Sequence, residues 1–338
     1  MTRKIITVGA MLLFGAALFS GCAKDPASVG EPTDQEEILQ LVQENEDYFT
    51  VAGLNDDGAQ PVSYSFGDFS KVADLISPIR FGRRGRMQLQ NVDIEYSEDG
   101  TAVATIVHSF NGAFFILAKD TTDTVAYGKL YKKEMENTIT RRAIFRRNDQ
   151  FQQGNMAGQG MQGHGGQGGH GQHGSMMERR GHGRRWHMFR ISGSLAQSPE
   201  TSLSFEWVKV TDGEQEWTIE DPLEFILDVE QIPVFGRMDT VKVYVKINNS
   251  APYADKPGET VLLRYHNDRR MHRARRPFND EGIYPDETAG DGIYSGMWVV
   301  RGHRGIFHAF VDAIDNGTIY DDQLPYNSLA WGFPYIVK

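Results

Sequence analysis

The chain has 338 residues, a formal net charge of −10 and a single cysteine. That length leaves room for two ordinary domains after a leader and a linker. The negative charge speaks against nucleic acid as a partner, and a lone thiol excludes an internal disulfide.

Arg3 and Lys4 precede an apolar run, Ile5 to Phe19, that is short for a bilayer span and reads as an export signal. The run closes on Leu18-Phe19-Ser20-Gly21-Cys22, which resembles the lipobox of bacterial lipoproteins, although Phe19 replaces the usual aliphatic residue. The resemblance implies cleavage of 1–21 and acylation of Cys22, which explains why an exported chain keeps one thiol. Ala23 rather than Asp follows, so the family's sorting rule implies the outer membrane, facing either the periplasm or the surface. An ordinary cleaved signal or an uncleaved anchor is the plainer alternative. Residues 22–33 are small, polar or proline and form a tether.

Thr33 and Glu36 have capping-box spacing, and Ile38, Leu41, Val42 and Phe49 share one face of a helix that needs a sheet to pack on. A second short helix is expected over Lys71 to Ile76, stopped by Pro78. Leu89 to Tyr96 and Thr101 to Phe110 alternate around a Ser97 to Gly100 turn, the pattern of a hairpin. Further strands are expected at Gly112 to Ala118, Lys129 to Lys133, Thr138 to Arg147, Arg185 to Ser192 and around Leu203 to Trp207. One helix ahead of an antiparallel sheet resembles the cystatin-like and nuclear-transport-factor-2-like α+β cones, which implies a curved sheet wrapped on the helix and room for a small ligand. Residues 148–183, rich in Gly, Gln, His and Met, have no apolar period; alternating segments on either side make them a long hairpin connection rather than a linker.

Turn-like residues at Thr211 to Glu214 and Glu220 to Pro222 divide an α+β domain, 34–212, from a second domain, 217–338. The second opens with Phe225 to Val229 and then alternates from Asp239 to Ile247. Thr260 to His266, Ile293 to Val300, Gly305 to Ile314 and Phe333 to Val337 supply further strands at sandwich spacing, with Trp298 and Trp331 in the core. The stretch from Asp280 to Ser295 resembles the D-x-G-x-x-x-D-x-x-A-G-D-G-x-Y-S element of immunoglobulin-like modules in bacterial surface and secreted proteins. The resemblance implies a fold and a location rather than a reaction. The fold class expected is mainly β: a curved antiparallel sheet packed by an N-terminal helix, followed by an immunoglobulin-like β-sandwich.

Four groups of residues carry possible chemistry. His164, His170, His173 and His182, with Met176 and Met177, offer ligands suited to copper or nickel, but lack a fixed frame and also fit a solvated insertion. Asp280, Asp286 and Asp291 offer hard oxygens of the kind calcium takes, or carboxylates that hold a tight turn through backbone amides. Arg269, Arg270, Arg273, Arg275 and Arg276 stand between strands and suit an anionic envelope glycan or lipid; Arg83, Arg84, Arg86 and Arg141, Arg142, Arg146, Arg147 form lesser basic runs. The run Gly158 to Gly163 spells G-x-G-x-x-G without the strand and helix that a dinucleotide site requires, and no nucleophile motif appears. The leading expectation is therefore a lipid-anchored envelope protein that binds or scaffolds without catalysis. Its rivals are metal handling by the His/Met loop and hydrolysis of envelope glycans by carboxylates that sequence alone does not pair.

Overall fold

The computed structural model describes residues 33–49, 52–56, 76–119, 128–148, 185–224, 226–252, 258–266 and 273–338. The chain enters it through the expected capping box. Thr33 Oγ1 accepts the Glu36 amide at 3.2 Å while Glu36 Oε2 accepts the Thr33 amide at 2.8 Å, starting helix α1, Asp34–Glu44. A four-residue helix, α2, Glu46–Phe49, and a 3₁₀ turn, Ala52–Leu54, continue it. The short helix expected over Lys71 to Ile76 lies outside the described residues except for Ile76, which is not helical.

Strands β1, Ser77–Tyr96, β2, Thr101–Lys119, and β3, Gly128–Arg147, are longer than their sequence patterns suggest. Gly112 does not end a strand. It sits opposite Gly85, and a Cβ at Gly112 would overlap the Arg84 carbonyl and the Gly85 Cα, so the glycine pair lets two continuous strands lie close and bend. Strand β4, Trp186–Gln197, pairs with β3 up to Arg147 opposite Trp186, so the Gly/His/Met-rich stretch connects the arms of a hairpin as expected.

Strands β5, Leu203–Thr211, and β6, Glu216–Ile219, leave this sheet and join β9, Thr240–Asn249, and β12, Ile293–Val299, in the order β12-β9-β5-β6. The remaining strands, β10, Glu259–His266, β11, Arg273–Pro277, β13, Gly305–Asp315, and β14, Ser328–Val337, extend the first sheet through a β4–β14 pairing, giving β1-β2-β3-β4-β14-β13-β10-β11. Short β7, Ile226–Asp228, and β8, Val234–Phe235, attach to β4 and β14. Helix α3, Asn316–Tyr320, follows β13. The boundary expected between 212 and 217 thus falls in the turn of the β5–β6 hairpin, and strand pairing runs across it at both sheets.

Buried apolar residues gather in several clusters, among them one between the two sheets, one under the N-terminal helix and one inside the curl, where Phe81 and Phe114 meet Phe310 and Ile314. Val241, Val243 and Val245 on β9 meet Val261, Leu263, Phe333 and Tyr335 from the first sheet, with Trp298 and Trp331 fully buried among them; this is the sandwich. In the curled half, Ile38, Leu41 and Val42 of α1 lie over Ala102, Ala104 and Ala143, whose small side chains let the helix approach the strands closely. The molecule is mainly β, a curved antiparallel sheet packed by an N-terminal helix and followed by a sandwich.

Candidate functional site

Residues directly opposite in antiparallel strands share a face, and one such row crosses the curled sheet: Arg275, Arg264, Phe310, Gly332, Ser194 and Arg141, on β11, β10, β13, β14, β4 and β3. His308 and Asp312 flank Phe310 two residues away and point the same way. This is the concave face, and the curl brings its far edge back over it. Arg83 of β1 binds Asp312 of β13 although β2, β3, β4 and β14 stand between them in the sheet.

That contact centres a network of buried ions. Arg83 donates from Nη1 and Nη2 to the two oxygens of Asp312 at 2.6 and 2.8 Å, and from Nε to the Tyr326 hydroxyl at 2.6 Å. Arg264 donates to Asp312 from Nε and to Asp56 from Nη1, both at 2.5 Å, while Arg275 Nη1 lies 3.3 Å from Asp56. Asp56 is held by the backbone of β1: the Arg83 amide donates to Asp56 Oδ2 at 2.7 Å, and the Asp56 amide donates to the Arg83 carbonyl at 3.0 Å. Burial alone would raise the Asp312 carboxyl, but the guanidiniums of Arg83 and Arg264 overturn that and hold it at about 2. Asp56 is lowered likewise, against its burial, by Arg264 and Arg275. Both carboxylates therefore stay ionised at neutral pH and have no proton to give, which suits a clamp joining β1 to the sandwich strands rather than acid catalysis.

Arg141 has a different environment. It is 2% exposed, and its Nη1 reaches over Ser194 and Gly332 to the Tyr48 carbonyl and to His308 Nε2, the latter at 3.3 Å. Nε and Nη2 of Arg141, Nδ1 of His308 and Oγ of Ser194 are buried without a hydrogen-bond partner among the described residues. Burial lowers the Arg141 guanidinium to about 9, with no carboxylate among the described residues opposing it. His308 is pushed well below its ordinary value by burial and then by Arg141, outweighing its bond to the Tyr48 carbonyl, and so is neutral at pH 7. Lys133, the other buried cation of β3, donates to the Gly317 carbonyl and to the carbonyl of Asp321, which caps the C-terminus of α3, the pole of a helix that favours a cation. Burial brings it down to about 8 despite Asp321 and Asp322 nearby.

A carboxyl pair lies at the end of β10. Glu259 stands opposite Asp315, and Asn249 Nδ2 donates to both, at 3.4 and 2.9 Å. Each is raised, chiefly by burial, and Tyr294 donates to Glu259 at 2.9 Å. Asp315 also accepts the Gly317 amide at 2.8 Å and so caps α3, giving the pair a structural task.

The acidic turn gathers as the sequence suggests. Oxygens of Asp280, Asp286 and Asp291 lie within 4.8 Å of one another, a donor set chemically suited to calcium. Those oxygens already accept amides: Asp280 takes Gly290, Asp291 and Gly292 at 2.9, 3.2 and 3.1 Å, Asp286 takes Gly282 at 2.6 Å, and Asp291 takes Ile293 at 2.9 Å. Positive φ at Gly282, Gly290 and Gly292 fits the same tight turn. The amides account for the acids without a cation.

Other predicted residues separate. Arg275, expected on an anion-binding surface, is a strand residue buried against Asp56 because β11 alternates; Arg276 is exposed. Arg83 and Arg141 likewise leave their basic runs for the interior, while Arg84 stays exposed and Arg142 half-buried. Arg269, Arg270, the side chain of Arg273, His164, His170, His173, His182, Met176, Met177 and Cys22 lie outside the described residues. Asp56, Arg264, Asp312 and Ser194 are interior groups that sequence reasoning missed. The available signal was phase: Asp312 alternates with Phe310 and Ile314, and Arg83 with Phe81. No family model, curated protein or solved structure matches this chain.

Proposed function

We propose that the chain is a lipid-anchored protein of the bacterial cell envelope, held in the outer membrane, that binds or scaffolds without catalysis. The observation that carries this is Leu18-Phe19-Ser20-Gly21-Cys22 after a basic start and an apolar run, with Cys22 the sole cysteine. The acidic turn and its following strand, similar to an element of bacterial surface modules, support the same address. On this reading residues 22–33 tether α1 to the acyl chains, and exposed arginines such as Arg276 meet anionic glycan or lipid. Mass spectrometry of the N-terminal peptide from host membranes tests it: the expected product begins at Cys22 and carries acyl mass, and Cys22→Ala leaves the membrane fraction. An intact, unacylated leader on protein from the cytosol refutes it.

A further inference from the structure

We infer that the open edge of β1 pairs with β1 of a second copy, antiparallel and two-fold, so that the curled sheets of two chains become one. β1 ends the ten-stranded sheet, and alternate residues on it turn both backbone groups away from β2. The first of these are capped from within: the Phe81 carbonyl accepts from Arg275 Nη1 at 3.1 Å, that of Arg83 from the Asp56 amide at 3.0 Å, and that of Gly85 from Asn55 Nδ2 at 3.1 Å. Beyond Gly85 the capping stops. Among the described residues no backbone hydrogen bond reaches the outward groups of Met87 or, past the bulge between Leu89 and Asn91, those of Val92 and Ile94. An open edge of this length is a template for another strand unless its side chains forbid it.

The side chains select a second copy. On the exposed face of β1, Arg84 and Arg86 stand toward one end, Asp93 and Glu95 toward the other. Antiparallel pairing reverses the strand against its copy. Setting Met87 opposite Val92 of the second copy lets outward backbone groups meet as a hydrogen-bonded pair, and it places Arg86 opposite Asp93, Arg84 opposite Glu95 and Gln88 opposite Asn91. Symmetry forms each pair twice. A slip of two residues keeps only one of the two kinds of ion pair, and a slip of one brings residues already bonded to β2 against the new strand, so the charges fix the register. Leu89, 49% exposed in the single chain, falls beside the axis opposite Gln90 and is covered.

The inference does not depend on the lipid anchor, so the test removes it. Sedimentation equilibrium of the chain from residue 22 with Cys22→Ala, at micromolar to millimolar concentration, is expected to show monomer in equilibrium with dimer. Arg86→Glu should weaken the dimer about tenfold or more, because two attractive pairs become two repulsions, and Arg86→Glu combined with Asp93→Arg should restore it by exchanging the charges. Both positions are exposed, so the unfolding midpoint of the monomer is expected to stay the same. Oxidation reads the register: a Gln88→Cys chain mixed with an Asn91→Cys chain should give a disulfide-linked heterodimer in excess of either homodimer, since facing residues outside the hydrogen-bonded pairs bring their Cα atoms within disulfide reach. A monomer throughout, a dimer indifferent to Arg86→Glu, no restoration by the exchanged charges, or no preferential cross-link would overturn the inference.

Discussion

Arg83 and Arg141 lie on the same concave face, each 2% exposed, and differ in what their guanidiniums meet. Arg83 has both oxygens of a carboxylate and a tyrosine hydroxyl; Arg141 has a carbonyl, a neutral imidazole and two idle donors. Burial pulls both downward in pKa, yet Arg83 ends above its ordinary value through Asp312 and Arg141 ends below it. Desolvation is similar at the two sites, so the carboxylate decides whether a buried cation ties the fold together or strains it.

The largest effect expected from breaking the comparison is at Asp312, which is paired with two guanidiniums at once. Asp312→Ala leaves Arg83 and Arg264 buried with only Asp56 between them, and should cost about 3–5 kcal/mol in urea unfolding. Substitution of Arg141 should go the other way. Arg141→Met replaces a buried cation that meets no carboxylate among the described residues with a side chain of similar length, and a gain of about 1–4 kcal/mol is expected in urea unfolding. A loss at Arg141 as large as that at Asp312 would mean that carbonyl and imidazole contacts suffice to hold a buried charge.

Much of the scaffold around these arginines is readable from sequence. The capping box, the alternation of Val241, Val243 and Val245, the Ser97 to Gly100 turn and the hairpin flanking the Gly/His/Met stretch are local patterns, set by side-chain period and glycine conformation. The pairing of β4 with β14, and of β5 with β9, joins segments apart in sequence and leaves no local trace. The site divides in the same way. Arg83 shares the phase of Phe81 and Asp312 that of Phe310, so both could have been placed inside, whereas their partnership depends on a curl spread over several strands. Reading arginines as runs concealed this, because neighbours such as Arg83 and Arg84 point to opposite faces.

A pH titration sharpens the contrast further. His308 has a depressed folded pKa, so the unfolded chain binds its proton first; stability is held above the ordinary histidine value and lost as pH falls from about 6.5, by about 1.4 kcal/mol per pH unit once the difference is complete. His308→Gln should remove that limb. Asp312 is lowered as well, so its contribution persists to lower pH and disappears between about 4 and about 2. Glu259 and Asp315, raised in the folded state, add stability at acid pH and lose it as pH rises through their folded values. Unfolding midpoints across pH 3 to 8 separate the His308 limb from the carboxyl limbs, and an unchanged slope in His308→Gln would remove the histidine from the account.

The smallest effect belongs to the acidic turn, where polar groups cluster near water instead of inside. Asp280 accepts three amides from Gly290, Asp291 and Gly292, but the amides of Gly290 and Asp291 face exposed surroundings and can turn to solvent when the carboxylate is removed. Asp280→Ala should therefore cost only about 1–2 kcal/mol, since each lost bond is largely exchanged for water. The penalty is expected to be the same in calcium and in chelator, because the turn is closed by its own amides. A Tm of the parent chain that rises with calcium, and does not in Asp280→Ala, would show that the carboxylates also hold an ion.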